Sequence, residues 1–109
     1  MTTTQLRTQT RFVGVADWWG RRVWVEQGGT RRMLRQTGDD RLVGFSWGRR
    51  GLGTRHLAEA MLADATGNPM LASRLSRDLA IEIVAELDDS GFELGRDDVL
   101  AWVSARDTA

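Results

Sequence analysis

Phe45-Ser46-Trp47-Gly48-Arg49-Arg50-Gly51-Leu52-Gly53-Thr54 marks the point where the chain changes period. Before it, apolar residues alternate with polar ones, as in half-buried strands. After it, they recur every three or four residues, as in amphipathic helices. Three glycines and two arginines fall where a following helix would present its first free N–H groups. The stretch therefore predicts both a fold and a place to look for function.

Arg11 to Ala16 and Arg22 to Gln27 read as strands upstream of the junction, with Asp17-Trp18-Trp19-Gly20 as the turn between them. Gly28-Gly29 is a two-residue hairpin signal, and Thr30 to Gln36 reads as the return strand. Thr37 to Asp40 is a further turn, and Leu42 to Trp47 a fourth extended segment. Downstream, Thr54 is the expected N-cap of a helix striped by Leu57, Ala58, Met61, Leu62 and Ala65 and ended by Gly67. Asn68-Pro69 reads as the N-cap and first residue of a second helix, running to about Asp88. Phe92 to Leu94 is expected as an extended link. A third helix begins near Arg96, with Asp97 and Asp98 favouring the positive end of its dipole.

Strands first and helices second predict an α+β domain. A small antiparallel sheet over residues 11–47 is followed by helices over 54–66, 69–88 and 96–106, packed on one face. Residues 1–10, rich in Thr and Gln without a period, are expected to be a flexible N-terminus to a single domain over 11–106. Trp24, Trp47 and Trp102 are expected in the core.

Hydrophobic residues at 41% and charged residues at 28% suit a globular chain with one core. Cysteine is absent, which rules out thiolate chemistry and disulfides. No apolar run approaches the ~18 residues of a membrane span, and Met1 to Arg7 lacks the apolar stretch of a secretory signal. A soluble, cytoplasmic protein with no membrane contact is expected. Net charge is zero, so no global field draws the chain to nucleic acid. The charge is polarised, however. Residues 1–55 hold eleven of the fifteen basic residues, and the remainder holds eleven of the fifteen acids. Two halves that neutralise each other, or two faces for two partners, fit that split.

The pattern F-x-W-G-x-x-G-x-G, carried by Phe45, Trp47, Gly48, Gly51 and Gly53, is followed by Leu57, Ala58, Met61, Leu62, Ala63 and Asp64, then by Gly91, Phe92 and Leu94. Together these residues resemble a small domain of unknown function found in short proteins of phages, plasmids and integrative elements. Arg49 and Thr54 stand where that family usually has an aromatic and a proline. The resemblance implies a mobile-element setting and no established activity.

Arg49, Arg50, Arg55, Gly51 and Gly53 are the leading candidates for contact with an anion or a partner, because arginines beside a helix N-terminus attract negative groups. The competing reading is a structural turn. Neither a P-loop Lys-Ser/Thr nor the third glycine of a dinucleotide fingerprint is present. Trp18 and Trp19, adjacent and flanked by Arg21 and Arg22, have the composition of an interaction hot spot. Asp78, Glu82, Glu86 and Asp89 form a secondary acidic stripe on the expected second helix: either a solvated face partnered by arginines or a dock for a basic partner. His56 is the only histidine, with no second ligand spaced for metal, and no nucleophile elbow accompanies it. No catalytic residues, metal or cofactor are expected.

Two functions follow as expectations. The first is a non-catalytic accessory protein of a mobile element that binds a host protein or defence complex, as an anti-CRISPR or other anti-defence inhibitor does by steric blocking. The second is an anion, nucleotide or nucleic-acid binding module built on the Gly/Arg loop.

Overall fold

The computed structural model describes residues 9–18, 20–35 and 44–107. The alternating segments form β1 (Arg11–Asp17), β2 (Gly20–Gln27) and β3 (Thr30–Met33). Gln27 pairs with Thr30 across Gly28-Gly29, whose φ values of 57° and 86° are the positive pair that a type I′ hairpin requires. The expected frayed N-terminus over 1–8, the turn at 37–40, and Trp19 fall outside the described residues.

The helices are α1 (Leu52–Thr66), α2 (Pro69–Glu82) and α3 (Arg96–Asp107). Asn68 caps α2 by accepting from the Leu71 N–H at 3.1 Å, with Pro69 next in line. Gly67, at φ 68°, ends α1 and donates to the Ala63 carbonyl at 2.8 Å. Asp97 and Asp98 occupy the first turn of α3. The domain is α+β, an antiparallel four-stranded sheet with helices, as the change of period implies.

Three expectations about the elements are corrected. The fourth strand is not Leu42 to Trp47 but β4 (Gly91–Gly95), which lies between the second and third helices in sequence and pairs antiparallel with β1. The sheet order is β3-β2-β1-β4. Gly14 of β1 makes room for it: a Cβ there would stand 2.1 Å from the Phe92 ring. Within the described part of the expected strand, residues 44–47 are irregular. The Ser46 N–H donates to the Gly53 carbonyl at 3.2 Å, which closes a local loop instead of a ladder.

Second, α2 stops at Glu82, not near Asp88. Ile83 leaves helical geometry at φ −122°, and a short 3-10 turn spans Val84–Glu86. The break drops Val84 fully into the core and frees its carbonyl to accept from the Gly48 N–H at 3.1 Å. Third, α1 begins with Gly51 as N-cap. Thr54 is buried in its first turn, with its hydroxyl donating to the Arg49 carbonyl at 2.6 Å.

The core joins one face of the sheet to the helices. Phe12, Val23, Val25 and Phe92 meet Leu57, Met61, Leu62, Leu79, Val84 and Val99. Strand residues alternate sides, so Trp24 lies on the face opposite Val23 and Val25 and is only half-buried, contrary to the expected core placement. Trp102 is also half-buried; its indole N–H donates to Glu82 at 3.2 Å. Trp47 is the one expected core tryptophan that is fully enclosed.

Candidate functional site

The glycine junction separates two surfaces of different character. On one side Trp47 is buried, edge-on to Phe92 with ring centroids 5.0 Å apart. Arg21 of β2 lies over the Trp47 ring at 4.5 Å, donates to the Trp47 carbonyl at 3.2 Å, and is ion-paired with Asp89. Arg49 joins this group, 3.7 Å from Asp89. Gly48 turns the chain here at φ 73°, with a hypothetical Cβ 3.0 Å from both the Asp89 Cα and the Leu87 carbonyl. A larger residue there strains the backbone and must push the 87–89 turn back by a few tenths of an ångström. Asp88 anchors the facing turn by accepting from the Ser90 hydroxyl at 2.7 Å and the Ser90 N–H at 2.9 Å. The Ser90 hydroxyl, then its N–H, hold the Asp88 carboxyl below its ordinary value of 3.8.

On the other side is a cleft of about 350 Å³ between the start of α1 and the end of α2. Arg50, Leu52 and Arg55 line it from the junction and α1, and Arg77 and Ile81 line it from α2. Leu52 is 53% exposed and Ile81 39%, high for large aliphatic side chains in a chain with a good core. Arg55 donates to the buried Ser76 hydroxyl at 3.3 Å, which fixes its stem across the helix pair. Among the described residues, no carboxylate is paired with Arg50, Arg55 or Arg77. Gly53 brings α1 against the preceding segment, where a Cβ would stand 2.7 Å from the Gly44 carbonyl.

The predicted cluster is thus divided. Arg50, Gly51 and Arg55 meet in the cleft; Arg49 faces the closed side; Gly53 serves packing. Trp18, 83% exposed at the end of the β1–β2 hairpin, does not line the cleft. Leu52, Arg77 and Ile81 were not anticipated. The available signal was Arg77 and Ile81 at i,i+4, on a flank of α2 away from its apolar stripe.

The acidic stripe is divided as well, because α2 ends early. Asp78 and Glu82 on α2 face Arg106 of α3, at 3.7 Å for Asp78 and in close contact for Glu82. Arg106 also lies over the Trp102 ring at 4.8 Å. Asp89 belongs to Arg21 and Arg49, and Glu86 is exposed in the 3-10 turn. Three of the four acids are partnered by arginines.

A larger opening of about 730 Å³ lies at the far end of the sheet, lined in part by Arg11, Glu26, Glu93 and Asp98. Its charges are mostly spent internally: Arg11 pairs with Glu26 and Glu93, and Arg31 pairs with Glu26 at 2.7 Å. The Arg31 hydrogen bond, then that of Arg11, pull the Glu26 carboxyl below its ordinary value of 4.5. We favour the smaller cleft as the functional candidate, because its cations have no carboxylate partner among the described residues. Among the described residues, no three His, Asp or Glu side chains group to hold a metal ion, and no helix is long and apolar enough to cross a membrane.

Four antiparallel strands, three helices and a glycine junction that opens a basic, aliphatic cleft define a small α+β domain. The chain belongs to the family of unknown function DUF6166, which matches residues 12–105. No curated protein and no solved structure matches it.

Proposed function

We propose that this protein is a non-catalytic binding protein that acts by occupying a surface of a macromolecular partner. The observation that carries the reading is the cleft at the α1 N-terminus. Three arginines with no carboxylate partner among the described residues surround two exposed aliphatic side chains there. Folding alone gives no reason to leave that combination open, whereas interfaces combine arginine with apolar anchors. The resemblance to proteins of phages and plasmids supplies the setting. In the cytoplasm of a bacterial host, the partner is a host protein or defence complex, and the effect is steric blocking, as an anti-CRISPR or other anti-defence inhibitor would exert it.

The test is affinity capture from host lysate after nuclease treatment, with Arg50→Ala/Arg77→Ala beside the parent. A partner retained by the parent and weakened at least ~10-fold by the double variant, about 1.4 kcal/mol, supports the reading. Capture indifferent to the double variant overturns the cleft as the active surface. The second reading, an anion or nucleic-acid module, draws on the same three arginines at a helix start. It requires capture that nuclease abolishes and that weakens steeply with salt.

A further inference from the structure

The cleft's chemistry narrows the partner. We infer that it receives an acidic peptide segment of a protein partner, with an aliphatic or aromatic side chain set against Leu52 and Ile81 and carboxylates on either side of that anchor. This rests on the binding reading above and specifies the chemistry of its partner.

Charge complementarity is the first argument. Arg11, Arg21, Arg22, Arg31, Arg32 and Arg106 are each paired with a carboxylate of the chain. Among the described residues, Arg50, Arg55 and Arg77 are not, and no described Asp or Glu lines the cleft they surround. Guanidiniums presented from two helices and a loop match carboxylates that arrive from several directions, through paired N–H donors. The second argument is the floor. Ala80, Leu52 and Ile81 offer aliphatic surface, and about 350 Å³ falls at the lower end of ligand-site volumes, enough for one large side chain with its flanking backbone.

The same features disfavour nucleic acid. Single-stranded nucleic acid is held by aromatic rings that stack on bases, and none of the described residues lining the cleft is aromatic. The zero net charge also supplies no long-range attraction to a phosphate backbone.

The experiment is selection of a random displayed peptide library against the intact chain, followed by titration of selected synthetic peptides by fluorescence anisotropy. A single-stranded oligonucleotide is titrated in parallel. Selected peptides should carry Asp or Glu around a Leu, Ile, Met or Phe. They should bind at least ~10-fold more weakly to Arg77→Ala and to Leu52→Ser, and unchanged to Arg49→Ala. Circular dichroism checks that each variant is folded. Among single Asp/Glu→Arg replacements in a selected peptide, one should bind Arg77→Glu better than the original peptide does, which a misfolded cleft would not allow. Enrichment of neutral or basic peptides, no enrichment, or binding indifferent to the cleft variants overturns the inference. An oligonucleotide bound more tightly than every selected peptide overturns it in favour of nucleic acid. If the peptides fail while lysate capture still depends on Arg50 and Arg77, only the partner chemistry falls. If capture is indifferent as well, the binding reading falls with it.

Discussion

The two flanks of the glycine junction are made from neighbouring residues, yet they end in opposite electrostatic states. On the Trp47 flank, Arg21 and Arg49 meet Asp89, the Trp47 ring lies under Arg21, and Gly48 locks against the 87–89 turn. On the α1–α2 flank, Arg50, Arg55 and Arg77 surround exposed Leu52 and Ile81 with no carboxylate among the described residues. Arg49 and Arg50 are adjacent in sequence, and one belongs to each flank. Residue type therefore does not separate a structural arginine from a binding one. What separates them is whether the fold brings an acid to meet it.

The comparison breaks first if the closed flank proves dispensable. Trp47→Ala should cost about 3–5 kcal/mol, the range for truncating a buried tryptophan, while Leu52→Ser should stay within about 0.5 kcal/mol. Denaturant melts of both variants decide it. Similar losses would mean that the cleft is part of the core. Gly48→Ala comes next. Its φ of 73° and the 3.0 Å approach to Asp89 and Leu87 should make it cost about 1–3 kcal/mol. A loss under ~0.5 kcal/mol would show that the turn shifts easily, and that the flank is held by its arginines and the Trp47 packing instead.

The arginines sharpen the comparison. Arg21 covers Trp47 and is only 19% exposed, so Arg21→Ala should cost about 1–2 kcal/mol through lost cation–π contact and an uncovered ring. Arg77→Ala should change thermal stability by less than about 0.5 kcal/mol, since no described carboxylate pairs with it. Equal effects for the two would remove the distinction drawn here.

Much of this architecture is legible in the sequence, for reasons that differ by element. β1, β2, α1 and α3 show their period over enough residues to read, and Gly28-Gly29 and Asn68-Pro69 carry local geometry that tertiary context did not override. β4 is only five residues with a glycine at each end, and its partner β1 is far away in sequence, so no local signal distinguishes it from a link. The early end of α2 was hidden because Ile83, Val84 and Leu87 continue the apolar stripe. The stripe reports burial, which the 3-10 turn also achieves for Val84. At the site, the junction was visible as a cluster of glycine and arginine. Its division between two flanks was not, because Asp89 and Arg77 reach it only through folding.

The smallest effect tests whether the closed flank is held electrostatically, and it concerns Asp88. The Ser90 hydroxyl and N–H both donate to its carboxylate, which lowers its pKa below the ordinary 3.8. A carboxyl with a depressed folded value stabilises the fold in its charged form. That contribution is complete above the ordinary value and is lost as pH falls through the folded one. Asp88→Asn keeps an oxygen that accepts the same bonds but removes the charge that strengthens them. At pH 7 the variant should therefore melt slightly below the parent. The gap should hold down to about pH 4 and close as the pH drops further, because the protonated parent then loses the same charge assistance. Melting temperatures of parent and variant between pH 7 and pH 2 read this directly. A gap that stays constant to the acid end would mean that Asp88 holds the turn by shape alone, and that the contrast between the flanks rests on the arginine pairs.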